Sequence, residues 1–390
     1  MKKIVLLVLA VFLIGCSSDS TSENEAEVKF TGTIQAIDDK MAIVSIEEGE
    51  ILNSGNEASV DLSTADERTF QVGDRVRVTY DGVIRETHPL SINTLAVERI
   101  ESARDFDLRK LDQYMLQGDY ELIYSHTGPE FQEYISLESF SESADEIHEE
   151  VTGYTLVDDI DYDGGLILRW MSDGEDIGMG AFVSEDGIIE QLEVFDITSP
   201  RGTDLVHTEN TYTLPMRGEW FVLWGGTNEI ENYHYSLDIQ RYAIDLVILD
   251  ENNYAYDGDP EKNEDYYAFG EEVLAPLEGT VVIAKDGVPD NIPGVERNME
   301  EALGNYVVIE HEHEEYSIIS HFKENSIVVE EGDEVEAGEV LGQVGNSGNS
   351  GSPHIHYQVS DGKDFYESKS IRIEFEDGSD PTLGEWVTGF

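Results

Sequence analysis

The spacing of apolar residues changes character along the chain, and each change marks a different kind of element. Over residues 28–101 short runs alternate apolar with polar positions, as in VKFTGTIQAI, MAIVSIEEG, FQVGDRVRVTYDG and INTLAVERI. Residues two apart share one face of a strand, so this segment is predicted to be all-β, with turns at Gly73-Asp74 and Asp81-Gly82. From residue 102 the period lengthens. Leu108, Leu111 and Met115, then Tyr120, Ile123 and Tyr124, recur at helical spacing, and a further helix is expected near residues 137–150. Beyond Gly153 the pattern returns to strands parted by acidic turns (YTLVDDIDYDGG, LILRWMS, GMGAFVSEDG, IIEQLEVFD), which makes residues 102–200 an α+β segment. Met115, Tyr120 and Trp170 are expected in its core, whereas His88, His126 and His148, with no partner motif, are expected at the surface.

The first residues follow neither pattern. Lys2 and Lys3 precede an apolar run, residues 4–14, which is too short to cross a hydrocarbon layer about 30 Å thick as a helix and reads as the core of a signal peptide, 1–15. The run ends Leu13-Ile14-Gly15-Cys16, which resembles the lipobox of bacterial lipoproteins, where the cysteine sulfur receives a diacylglycerol and becomes the new N-terminus. That resemblance implies lipidation at Cys16 and a chain anchored on the extracellular side of the bacterial cell membrane. After Cys16 no large apolar side chain appears before residue 28, so 16–27 is expected to be a tether. Cys16 is the only cysteine, and no intramolecular disulfide can form.

A length of 390 residues suggests two or three domains. Asp and Glu number 84 against 23 Lys and Arg, a formal charge of -61, while 39% hydrophobic residues still suffice for packed cores. Such a field repels phosphate backbones and anionic headgroups, which sets aside nucleic-acid roles. The acidity fits either a saline habitat or avoidance of polyvalent anions in a cell wall.

Seven of the ten histidines lie beyond residue 200: His207, His234, His311, His313, His321, His354 and His356. The strongest motif is GNSGNSGSPHIHYQV, residues 345–359, in which a Gly/Ser-rich loop delivers His354 and His356 to one face of a strand. Imidazole is a preferred zinc ligand, and a catalytic zinc takes three protein ligands and leaves one position open. A bare His-x-His is weak evidence, and His311-Glu312-His313, which lacks such surroundings, is expected on a solvent face.

The surroundings of the second pair, residues 214–359, resemble the lysostaphin-type (LytM-like) zinc metallopeptidases of bacterial cell walls. Besides the terminal His-x-His loop, YSIISHF (316–322), GEEVLAPLEGTVV (270–282) and GDEVEAGEVLG (332–342) carry the likeness in order. It implies that His356 is a zinc ligand and that His354 and His321 are catalytic, accepting the proton of the attacking water and stabilising the oxyanion. One family feature, His-x-Gly-x-Asp, is not kept: the position four before Asp245 is Arg241, whose guanidinium stays protonated and cannot ligate. His234 is the nearby candidate for the missing ligand. His234, Asp245 and His356 form the favoured set, with His234, Asp238 and His356, or a site that has lost zinc, as alternatives.

The likenesses together imply a multidomain chain: an all-β OB-like barrel (28–101), an α+β cone similar to the nuclear-transport-factor group (102–200), and an antiparallel β-sheet peptidase domain (201–390). Its implied work, as a monomer, is zinc-dependent cleavage of peptide stems or cross-bridges of peptidoglycan. A catalytically silent member that binds the wall or activates another hydrolase is the alternative, and the full set of His321, His354, His356 and Asp245 favours the enzyme. The acid-rich loop 250–265 lacks the ligand spacing of an EF-hand and is expected to be a solvated lip.

Overall fold

The computed structural model describes residues 28–38, 40–65, 70–85, 87–101, 106–148 and 151–390. The expected signal peptide, Cys16 and the expected tether lie outside the described residues. Two compact units divide the chain: the first reaches Asp159 and resumes over Gly165–Val194, and the second holds Ile160–Gly164 and Phe195–Phe390.

The first unit opens with five strands, β1 (Val28–Asp38), β2 (Met41–Glu48), β3 (Glu57–Asp61), β4 (Arg75–Arg85) and β5 (Leu90–Glu101). They close a barrel in the order β1-β2-β3-β5-β4, antiparallel throughout except for the parallel β3–β5 pair. This closure is consistent with an OB-like barrel. Period-two burial drives it, as in β2, where Ala42, Val44 and Ile46 face the core. Gly32 permits the sharp approach of β1 to β2, since a Cβ there would fall 2.1 Å from the Ser45 carbonyl oxygen. Asp81-Gly82, expected as a turn, instead lies inside β4 at a register shift, with Gly82 at φ +85°. A bulge uses the same left-handed glycine as a turn, so the dipeptide alone does not separate them.

Four helices follow, α1 (Leu111–Gln117), α2 (Tyr120–Tyr124), α3 (Pro129–Tyr134) and α4 (Leu137–His148). They precede a four-stranded meander of β6 (Tyr154–Tyr162), β7 (Gly165–Ser172), β8 (Ile177–Val183) and β9 (Ile189–Asp196). Met115, Tyr120 and Trp170 are all in its core, at 2%, 8% and 0% exposure. His126 and His148, expected at the surface, are buried at 4% and 9%. Each bonds locally through Nδ1, 2.8 Å from the Leu122 carbonyl and 2.7 Å from the Ala144 carbonyl, four residues back in both cases. That bond offsets the cost of burying a neutral imidazole. No helix among the described residues is long and apolar enough to cross a membrane.

The second unit is built on strands. In chain order they are β10 (His207–Tyr212), β11 (Glu219–Trp224), β12 (Ile244–Val247), β13 (Glu272–Leu274), β14 (Gly279–Lys285) and β15 (Asn305–Glu310). Then come β16 (Tyr316–Phe322), β17 (Glu334–Val335), β18 (Val340–Gln343), β19 (Ile355–Ser360), β20 (Ser370–Phe375) and β21 (Trp386–Thr388). A ten-stranded sheet runs β17-β14-β15-β16-β19-β12-β11-β21, with β20 attached to β19 and β10 to β20, while β13 and β18 form a separate ribbon. Trp220, Leu246, Val307, Ile319, Phe322 and Tyr357 fill its main core. Central strands β16, β19 and β12 are buried along nearly their whole length, so polar side chains on them need partners in the interior.

Candidate metal centre

Those central strands carry the chemistry. Asp245 on β12 stands directly opposite His356 on β19, and Ser320 on β16 lies opposite His356 from the other side. Cross-strand partners share a face, which puts the Asp245 Oδ1 2.9 Å from the His356 Nδ1. His234 reaches the same point from outside the sheet. It sits in a short 3-10 turn, Tyr233–Ser236, capped by the Asn232 side chain, and its Nε2 is 3.6 Å from the Asp245 Oδ2. Ligand atoms of His234, Asp245 and His356 all lie within 4.8 Å of one another, and all three residues are buried.

Arg241 fastens the loop that brings His234 in. Its guanidinium donates to the Tyr235 carbonyl at 2.5 Å and to Asp238, and it stacks 5.0 Å above the Tyr235 ring. Asp238 stands outside the cluster with a 56% exposed side chain, paired with Arg241 and Lys369.

The hydrogen-bond network fixes where the protons sit. Gln358 donates from Nε2 to the Ile239 carbonyl (2.8 Å) and to Ser360 Oγ (2.7 Å), so its Oε1 is an acceptor. The His356 Nε2–H therefore donates to that Oε1 at 3.2 Å, leaving a lone pair on Nδ1. Asn232 Nδ2 donates to the Ala243 carbonyl at 3.0 Å, and its Oδ1 accepts from the His234 Nδ1 at 2.9 Å, leaving a lone pair on the His234 Nε2. Two imidazole lone pairs and a carboxylate thus converge with no donor among them. Buried acceptors facing one another are costly unless a cation lies between, and two nitrogens with one oxygen are a zinc donor set. The residues fit that metal.

Burial pushes His234 down to about 3, with His356 and His354 acting in the same direction against Asp245, so the ring is neutral. For Asp245 burial acts upward, but the three histidines around it outweigh that and hold the carboxyl below the usual range.

Two more imidazoles border the cluster. His321 donates from Nδ1 to the Ser347 carbonyl at 2.7 Å, and His354 from Nδ1 to the Ser352 carbonyl at 2.8 Å. The His354 Nε2 is 3.8 Å from the Asp245 Oδ2. His321 ends the pleat of β16 at φ +66°, a left-handed conformation that a non-glycine residue adopts only under constraint, and its ring lies 4.8 Å from that of His354 and 5.8 Å from that of His356. Burial, with His354 and His356 adding to it, holds His321 well below the ordinary histidine range.

Asn232 and Gln358, which orient the two rings, were missed in the sequence, although Gln358 follows His356 by the same two-residue step that links His354 to His356. His311, expected on a solvent face, is buried at 6% and bridges the Glu278 carbonyl and Ser317 Oγ. Only its neighbour His313 is exposed. In the loop 250–265 the Asp250 carboxylate accepts from the Asn252 and Tyr254 amides and that of Asp259 from the Glu261 amide, and no comparable cluster of ligating side chains forms there among the described residues. A cavity of about 510 Å³ in the first unit, lined by Gln35, Arg75, Tyr124 and His126 among others, holds none either.

Comparison with known proteins bears on the same region. Residues 262–367 match Peptidase family M23, a span that includes His321, His354 and His356 and begins beyond His234 and Asp245. A point mutant of the catalytic domain of the prophage-encoded M23 protein EnpA from Enterococcus faecalis is similar at 18% identity, over 41% of this chain and 94% of that one, with a TM-score of 0.26. The catalytic domain of lysostaphin from Staphylococcus simulans is similar at 18% identity, over 40% of this chain and 88% of that one, with a TM-score of 0.24. Among curated proteins none matches.

Proposed function

We propose that this chain is a zinc-dependent endopeptidase that hydrolyses peptide stems or cross-bridges of peptidoglycan, tethered to the outer face of the membrane through a lipid on Cys16. The match to family M23 supports the reaction class. The observation that carries the reading is the buried cluster of acceptors at His234, Asp245 and His356.

The His234 Nε2, the Asp245 carboxylate and the His356 Nδ1 would hold the zinc. When bound, zinc supplies Lewis acidity, which acidifies a water and polarises a peptide carbonyl. His354 and His321 each keep Nδ1–H on a backbone carbonyl, so Nε2 is the nitrogen each ring has left for the reaction. Such a nitrogen accepts the proton of an attacking water and, once charged, stabilises the oxyanion and protonates the departing amine. Burial keeps His321 neutral at physiological pH, the state a proton acceptor requires. Asn232 and Gln358 hold the two ring ligands in the tautomers that point lone pairs inward.

Metal analysis of the mature chain, joined to mass spectrometry of peptidoglycan digests, tests this. About one zinc per chain is expected, lost in His356→Ala, with new amino termini within stems or cross-bridges. Absence of zinc from the unmodified protein would sink the reading. Zinc binding and wall binding with no peptide release would identify the silent, wall-binding member instead.

A further inference from the structure

The second unit has five arginines, and four of them meet a carboxylate: Arg201 with Glu229, Arg217 with Glu272, Arg241 with Asp238 and Arg372 with Asp380. Arg297 meets none among the described residues, in a chain with 84 Asp and Glu. Its neighbours in sequence include Glu296, Glu300 and Glu301, so the lack of a partner is not a lack of nearby acids. Its position is fixed by the loop it packs on. Gly294 N donates to the Gly351 carbonyl at 2.8 Å and Asn298 N to the Gly348 carbonyl at 2.9 Å. Asn291 Nδ2 adds bonds to the carbonyls of Gly348 (2.7 Å) and Ser350 (3.0 Å).

This is the loop that orients His354, whose Nδ1 lies 3.2 Å from Ser350 Oγ. A Cβ on Gly351 would fall 2.6 Å from the Arg297 Nη2, so the absence of a side chain there is what lets the guanidinium lie against the loop. The His354 Nε2 is in turn 3.8 Å from the Asp245 Oδ2. Arg297 therefore stands exposed against the loop that carries His354 to the edge of the cluster, uncommitted to any carboxylate.

A chain of charge -61 repels anionic peptides at long range, and one that acts on them needs a local cation where they dock. Guanidinium matches a carboxylate through two parallel hydrogen bonds. We infer that Arg297 grips a substrate carboxylate and makes the site selective for peptides bearing free carboxylates beside the scissile bond, as γ-glutamyl and diamino-acid stem peptides do, over uncharged glycyl bridges. The inference rests on the peptidase reading for its substrate, and the experiment scores the two separately.

The probes are the stem peptide L-Ala–γ-D-Glu–diaminopimelyl–D-Ala with its carboxylates free, the same peptide with all of them converted to carboxamides, and pentaglycine. Binding is measured on the zinc-stripped mature chain, where no turnover intervenes, and cleavage on the zinc-loaded chain. The free form should bind about tenfold more tightly than the amidated form, the size of one charge-assisted pair. Arg297→Gln should level the two, Arg297→Lys should restore part of the difference, and neither should change the melting temperature. Equal binding of the two forms by the parent, or equal weakening of both by Arg297→Gln, overturns the inference. A carboxylate preference without cleavage of any probe keeps the role of Arg297 and removes the peptidase reading, and cleavage without preference does the reverse.

Discussion

His356 donates from Nε2 to Gln358, and His234 donates from Nδ1 to Asn232, so the two rings turn opposite nitrogens toward Asp245. Each ring offers a lone pair to a metal only in that tautomer, and the tautomer is held by a side chain outside the set of three ligand atoms. Asn232→Ala should therefore lower zinc affinity by roughly 10- to 100-fold, read by competition with a chromogenic chelator, while His356→Ala removes binding. His321→Ala and His354→Ala should retain zinc and lose turnover by about 10²-fold or more, since a proton acceptor contributes to the reaction and not to the donor set. Loss of metal from either of these two, to the extent seen with His356→Ala, would show that the split between ligands and proton-transfer groups is drawn in the wrong place.

At the scale of elements, strand β9 begins against the turn that leads into α3. Gly128 N donates to the Ile189 carbonyl and Ile189 N to the His126 carbonyl, at 3.0 Å and 2.8 Å. The join leaves Glu190 in poor company: a Cβ on Gly128 would fall 2.6 Å from its Oε2, and burial, with Glu130 and Asp186 adding repulsion, pushes its carboxyl up from 4.5 to about 7. A carboxyl raised in the folded state holds its proton more tightly there than in the unfolded chain. The stability this confers is complete below pH 4.5 and is lost as the pH climbs through about 7. Glu190→Gln should abolish that part of the pH dependence and gain on the order of 1–2 kcal/mol over the parent at pH 8, allowing for residual water around the group. Melting curves of the two proteins that stay parallel from pH 5 to pH 8 would show that Glu190 ionises freely where it is.

Elements differ in how legible they are. Period-two runs announced β2, and helical spacing announced α1, because one face of each is buried and the pattern records it. What the pattern could not carry was context. Asp81-Gly82 reads alike as turn or bulge, and His126, His148 and His311 read as surface residues because nothing in a linear sequence shows the backbone carbonyl that meets the Nδ1 of each ring. At the site, the His354–His356 step was visible as strand alternation. The inward position of His321 was not, since it depends on a left-handed residue where alternation fails. Arg241 told the same story from the other side: an arginine in a position where a ligand was wanted pointed away to His234, and the structure shows that arginine tying down the loop on which His234 travels.

For the molecule as a whole the governing quantity is charge. With -61 distributed over 390 residues and most cations of the second unit committed to ion pairs, acids face mainly other acids across the surface. Unfolding relieves that repulsion by moving the charges apart, so the compact state is penalised most where screening is weakest. The Debye length falls from about 30 Å at 0.01 M salt to about 3 Å at 1 M, beyond which only near neighbours interact. The melting temperature of the protein should therefore rise with sodium chloride across that range, most steeply at the low end, where the screening length crosses the dimensions of a single domain. Exposed ion pairs such as Arg77–Glu98 weaken over the same range, but each contributes about 1 kcal/mol or less and they are far outnumbered by unpaired acids. Replacing sodium chloride with an uncharged osmolyte of equal osmolarity separates screening from excluded volume: the rise should vanish in its steep part. A melting temperature that is flat from about 0.01 M to about 1 M would mean that tightly bound cations already neutralise the surface, and exhaustive dialysis against a chelator should then lower it.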